Sequence, residues 1–226
     1  MKKLEITTDT LHFLKQLKKN NNRDWFAAHK TEFKQHESDF KEFMSGLKTM
    51  MDVHDKIEKM KVFRIYRDVR FSKNKDPYKS NLAGSFSRSG LKLRGGYYLH
   101  IQPGASFIGV GFWAPLKEDL FRIRKELETD ANEFRKVISE KNLKKHWGEI
   151  VGDEVKTAPK GFDKEHKNID LIKKKQFIFT REFSDKEVVS HDFMKTIDAS
   201  FKAIRPYFDL MSDVLTTNLN GESLLK

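Results

Sequence analysis

Two alternating segments, Gly96–Gln102 and Phe107–Trp113, flank Pro103-Gly104-Ala105-Ser106, and this arrangement restricts the fold more tightly than any other feature. Proline presets one turn dihedral and glycine supplies another, so the four residues read as a hairpin loop between antiparallel strands. Folding there sets Gln102 opposite Phe107, Ile101 opposite Ile108, His100 opposite Gly109, Leu99 opposite Val110, Tyr98 opposite Gly111 and Tyr97 opposite Phe112. Side chains alternate between faces, so Tyr97, Leu99, Ile101, Ile108, Val110 and Phe112 form a core face. The reverse face carries Tyr98, His100 and Gln102 beside two glycines, which leaves space for a ligand, a loop or a helix to approach. Gly84–Arg88 supplies a further strand.

Helical periods surround this hairpin. Leu11, Leu14 and Leu17 predict a helix over 8–20, with Thr8, Asp9 or Thr10 as N-cap and Asn20-Asn21-Asn22 as its end. Phe26, Phe33, Phe40 and Leu47, with Phe43, Met44 and Met50 between, predict one long amphipathic helix over about 23–53, capped by Asn22. Phe63, Ile65, Val69 and Phe71 alternate with Arg64, Tyr66, Asp68 and Arg70, which predicts a strand over 62–71 with Arg67 on its apolar side. Val62, Ile65, Tyr66 and Val69 also fit a helical period. Further on, 116–150 reads as two or three helices, 157–163 as a loop, 169–173 as a short helix and 176–183 as a last strand. Phe193, Ile197, Phe201 and Ile204 begin a helical end that Pro206 breaks or kinks. No repeat, low-complexity tract or linker divides the chain. Residues 1–226 therefore read as a single α+β domain, an antiparallel sheet (84–113 plus strands near 62–71 and 176–183) covered by long N-terminal and C-terminal helices.

Composition bounds the partners. Lys and Arg outnumber Asp and Glu by 44 to 33, a net charge of +11, which favours anionic ligands. Zero cysteines exclude disulfides, thiol nucleophiles and thiolate-held zinc, and point to a reducing cytoplasm. Behind Lys2 and Lys3 there is no apolar leader segment, and no window approaches the ~18 apolar residues of a membrane span.

The segment Arg64–Lys79 crowds three arginines, three lysines and two aspartates among aromatics. Guanidinium forks match carboxylates and phosphates, so such a block either braces a fold or holds an anion. Within it, Arg67-Asp68-x-Arg70-Phe71-Ser72-x-x-Lys75-x-Pro77-Tyr78-Lys79 resembles the DUF2461 family, a domain of unknown function. Asn21-Asn22-Arg23-Asp24-Trp25-Phe26, Gly96–Ile101 with Gly109-x-Gly111, Pro159-Lys160-Gly161-Phe162-Asp163 and Arg205-Pro206 are similar to its other landmarks, over about 8–215. Val110 departs from the glycine expected there, which argues against a phosphate loop at Gly109–Gly111. The resemblance implies one whole-length domain and no particular activity.

The leading expectation is a binding module for an anionic ligand, a phosphorylated small molecule or nucleic acid. Arg64, Arg67, Arg70, Lys75 and Lys79 would donate, Asp68 would orient the forks, and Tyr78 and Tyr98 would stack or hydrogen-bond. An arginine on an apolar strand face needs a buried partner, which Arg67 would find outside Asp68. The first alternative is an enzyme acting on a phosphoryl or carboxyl group with His100 as acid or base. The second is an interaction protein whose arginine block is purely structural. Lys156, Lys160 and Lys173-Lys174-Lys175 extend the basic surface. There is no Walker loop, dinucleotide fingerprint, G-x-S-x-G or H-E-x-x-H, and Asp163-x-x-His166 is a pair without further ligands, so no metal site is expected.

Overall fold

Strands β1 (Ile57–Val62), β2 (Leu82–Arg88), β3 (Gly96–Ile101), β4 (Ser106–Phe112) and β5 (Phe177–Phe183) pair in chain order as a five-stranded antiparallel meander. This computed structural model describes residues 4–225. The hairpin face behaves as its alternation demands: Tyr97, Leu99, Ile101, Ile108, Val110 and Phe112 are all buried. The chain divides into two compact units. One takes the described residues up to Phe86, Tyr98–Ile108 and Glu182–Asp198; the other takes Ser87–Tyr97, Gly109–Arg181 and the residues from Ala199 on.

In the first unit, α1 (Thr8–Lys19) starts where the Thr7 hydroxyl accepts the Thr10 amide, one residue before the expected caps. Asn22 caps the next helix as expected, its Oδ1 accepting the Trp25 N–H at 2.9 Å. The single helix predicted over 23–53 is instead two, α2 (Arg23–Ala28) and α3 (Lys30–Met51). His29 causes the break: its ring stacks on Trp25 at 3.9 Å and its Nδ1 donates back to the Trp25 carbonyl at 2.8 Å. Phe26 and Phe33 still share one apolar stripe across the break, so the period could not reveal it. Phe33, Phe40, Phe43, Met44, Leu47 and Met51 are buried along α3, each fully buried side chain contributing roughly 1.5–3 kcal/mol. Gly84 lets the helix approach β2, since a Cβ there would lie 2.4 Å from the Met44 methyl.

The second unit holds α4 (Lys117–Thr129), α5 (Asn132–Ile138), α6 (Lys141–Trp147) and α7 (Ile169–Ile172). Between them and the C-terminus, α8 (Asp185–Val188) and the start of α9 (Phe193–Ala203) belong to the first unit, and α10 (Arg205–Thr216) to the second. Pro206 sits in the first turn of α10, where its missing amide hydrogen costs nothing. Tyr97, Phe134, Phe177, Phe179, Phe201, Tyr207 and Phe208 form an aromatic core, with the Tyr207 hydroxyl donating to the Phe177 carbonyl at 2.9 Å. Arg88 is fully buried within it, bonded to Asp209, Ser212 and the Arg94 carbonyl, with its guanidinium over the Phe208 ring. The space beside Gly111 is filled by backbone: a Cβ there would meet the Phe177 carbonyl oxygen at 2.3 Å. No helix among the described residues is long and apolar enough to cross a membrane.

Candidate anion-binding site

The arginine block folds back on itself rather than running on as a strand to residue 71. Beyond β1, the Phe63 N–H donates to the Ala83 carbonyl, Lys79 N–H to Ile65 and Arg67 N–H to Pro77, at 2.8–2.9 Å, and Tyr66 bridges Tyr78 antiparallel. Between the Phe63–Ala83 and Ile65–Lys79 pairs the return arm carries two additional residues, Ser80 and Asn81, both in bends. Residues 68–76 form the tip. Phe71, read as an apolar strand residue, is 98% exposed there, because chain reversal has already carried the tip away from the core that holds Ile65.

Tyr78 fixes the return arm. It is buried, stacks on Phe26 at 4.0 Å, and has its backbone N–H and carbonyl bracketed by the Asn21 carboxamide at 3.1 and 2.9 Å. Its ring is part of the core. Burial raises its hydroxyl pKa above 10.0, the nearby Tyr66 adding to the effect.

The cations of the block meet different fates. Arg70 is closed in a bidentate pair with Asp68, Nε to Oδ1 at 3.0 Å and Nη2 to Oδ2 at 2.7 Å, on the exposed surface. Lys75 donates to the Val69 carbonyl and so closes the tip. Arg67, free of any strand face, has only long side-chain contacts among the described residues, 3.5 Å to the Ser72 hydroxyl and 3.9 Å to the Asp76 carboxylate. Arg64 is exposed and has no side-chain partner among the described residues. Lys79 donates to the Arg64 carbonyl at 3.0 Å.

Lys79 joins the block to the sheet. Its Nζ stands 5.8 Å from the centre of the Phe63 ring, Lys61 Nζ stands 5.3 Å from the same ring, and Phe63 lies 6.2 Å from Tyr98. Two cations thus flank one half-buried aromatic, and Lys61, Arg64 and Lys79 form no salt bridge among the described residues, although the Arg64 charge reaches Asp68 and, after the Arg70 hydrogen bonds, helps to hold that carboxyl's pKa down. Burial, and then the charge of Arg64, push the Lys79 pKa below 10.5.

His100 lies on the same face. Its Nε2 donates to the Gln102 Oε1 at 3.2 Å, which leaves Nδ1 to accept from the Tyr98 hydroxyl at 3.1 Å, with Asn81 Nδ2 at 3.4 Å. Phe107 covers part of the face, stacked on the imidazole at 4.9 Å. Burial pushes the His100 pKa below 6.5; the Gln102 bond opposes this and the Lys79 charge adds to it. With the folded midpoint below the unfolded one, stability falls as pH drops from 6.5 through that midpoint, because the unfolded chain binds the proton first. Lys79→Ala removes the neighbouring charge and is expected to move the His100 midpoint upward in a ring-nitrogen NMR titration. An unmoved or lower midpoint would separate the two groups.

Sequence reading missed Lys61, because β1 lay outside the predicted strand, and Asn81, because only the added residues of the return arm bring it to His100. The hairpin register sets Phe107 opposite Gln102, but in the structure its ring reaches the diagonal neighbour His100. From sequence Asn21 reads as part of a helix end, whereas in the structure its carboxamide anchors the block. No group of three or more His, Cys, Asp or Glu suited to a metal occurs among the described residues.

A family model described as conserved hypothetical protein, DUF2461, matches residues 9–210. No curated protein and no solved structure gives a significant match.

Proposed function

The chain belongs to the DUF2461 family, whose description names no activity, and we propose from the geometry of its first unit that it is a cytoplasmic binding module for a phosphate-bearing ligand. The observation that carries this reading is Lys79, a partly buried ammonium beside Arg64 that shares the Phe63 ring with Lys61 and has no ion-pair partner among the described residues, the Asp68 carboxylate lying near Arg64 but committed to Arg70. A desolvated cation among cations is unfavourable until an anion arrives, so the cluster supplies differential affinity for negative charge. Arg67 adds a guanidinium whose own contacts are long and readily exchanged. Phe63, Tyr98 and Phe107 offer half-buried ring faces beside the cations, which suits a ligand with a planar or sugar portion attached to its phosphate. Binding is favoured over proton transfer by His100, because both imidazole nitrogens already have partners. The absence of cysteine suits the reducing compartment.

The test is a thermal-shift panel of inorganic phosphate, a nucleoside monophosphate and a short single-stranded oligonucleotide at low and moderate salt. At ligand concentrations about a hundredfold above Kd the unfolding free energy rises by about 2.7 kcal/mol, a shift of several degrees. A small phosphorylated ligand keeps most of its shift at moderate salt, whereas a strand held mainly by its backbone loses it steeply. No shift with any probe at either salt contradicts the proposal.

A further inference from the structure

A cleft of about 460 Å³ in the second unit is lined by Lys117, Glu118, Leu120, Phe121, Arg124, Pro159, Lys160 and Phe162. It has no part in the site described above, and the Pro159–Phe162 wall is one of the sequence landmarks that the first site does not use. Phe121 is 53% exposed and meets Phe162 edge to face at 6.1 Å, with the Lys125 ammonium 5.8 Å from the centre of the Phe121 ring and 5.0 Å from that of Phe162. Arg124 gives the cleft its polar element. Its Nη2 donates to the Lys174 carbonyl at 3.0 Å, while Nε is sealed from solvent without a partner. Nη1 has no hydrogen bond among the described residues, and no carboxylate pairs with the guanidinium. Burial pushes the Arg124 pKa below its ordinary value. Lys117 and Lys160 bring two more cations against the one acid, Glu118, and no side chain caps the first turn of α4, from which Lys117 and Glu118 project.

We propose that this cleft is a second ligand site, for a small molecule with an aromatic or branched apolar body and one oxyanionic head, phosphate or carboxylate. The volume falls within the range of small-molecule pockets. Phe121, Phe162, Leu120 and Pro159 take the body, and Arg124 with Lys160 and Lys117 takes the head. A guanidinium fork accepts either headgroup, so phenyl phosphate and phenylacetate are the two probes.

The experiment is a titration of the full chain with each probe, followed by amide NMR shifts, with inorganic phosphate as the headgroup alone. At least one of the two probes is expected to saturate, with shifts concentrated at Lys117–Phe121 and Lys160–Phe162, and to bind more tightly than inorganic phosphate. Arg124→Gln is expected to weaken that probe about tenfold or more, and Phe121→Ala, at an exposed position that the fold tolerates, several-fold. Lys79→Ala leaves these shifts unchanged, which separates this cleft from the first site. Saturation by neither probe, no shifts at Lys117–Phe121 and Lys160–Phe162 in the Lys79→Ala protein, or full affinity at these residues in a folded Arg124→Gln protein would each overturn the assignment.

Discussion

Gly111→Ala is expected to destabilise the fold by roughly 3–5 kcal/mol, the sum of a strained backbone and a forced overlap in the sheet. Gly111 has φ +116°, outside any region that an L side chain adopts readily, and the added Cβ would lie 2.3 Å from the Phe177 carbonyl oxygen and 2.9 Å from the Ile178 Cα. Neither atom is the end of a flexible side chain, so the strand itself must move. Gly104→Ala provides the control. Its φ of +73° carries a left-handed penalty of about 1 kcal/mol, and nothing lies within 4 Å of the new methyl. Urea unfolding of the two variants should therefore show a much larger fall in midpoint for Gly111→Ala, with the slope unchanged. Equal, small losses would mean that β5 does not pass so close to Gly111.

The double variant Arg64→Ala with Lys79→Ala is expected to lose about a hundredfold in affinity for the phosphate probe that gives the largest thermal shift. Each charge-assisted bond removed accounts for about tenfold or more. Its unfolding midpoint should hold or rise slightly, because Arg64 is exposed and Lys79 is a cation disfavoured by burial and by its neighbour. Arg70→Ala is expected to change affinity by less than about threefold, since its fork is already filled by Asp68. Isothermal titration of the three proteins distinguishes a localised site from general charge attraction. If Arg70→Ala weakens binding as much as the double variant, net charge and not the Phe63 cluster is responsible.

How much of this was legible beforehand depended on whether local rules decided the outcome. The hairpin at Pro103-Gly104 was readable because turn chemistry and two-residue alternation agree, and its core face followed directly. The Asn22 cap was readable because a side-chain oxygen ahead of an apolar stripe satisfies orphan amides. The break at His29 was not, since it arises from a ring folding back on Trp25 while the stripe continues unbroken. Residues 62–71 alternate like a strand, yet pairing with 77–83 reverses the chain after Arg67, a tertiary preference that alternation cannot express. The arginine block drew notice for its density, but density did not distinguish Arg70, closed by Asp68, from Arg64, which has no such partner. That distinction comes from spacing in three dimensions, as does the meeting of Lys79 with Phe63 and His100.

The most direct test is the His100 ring titration, repeated with and without a saturating amount of the strongest-binding phosphate probe. Burial is the main cause of the lowered imidazole pKa, and an anion seated against Lys79 offsets the positive charge that adds to it, so the midpoint should rise in the native protein and stay fixed in the Arg64→Ala, Lys79→Ala variant. A midpoint that does not move when the native protein is saturated would put the bound anion somewhere other than this face of the sheet.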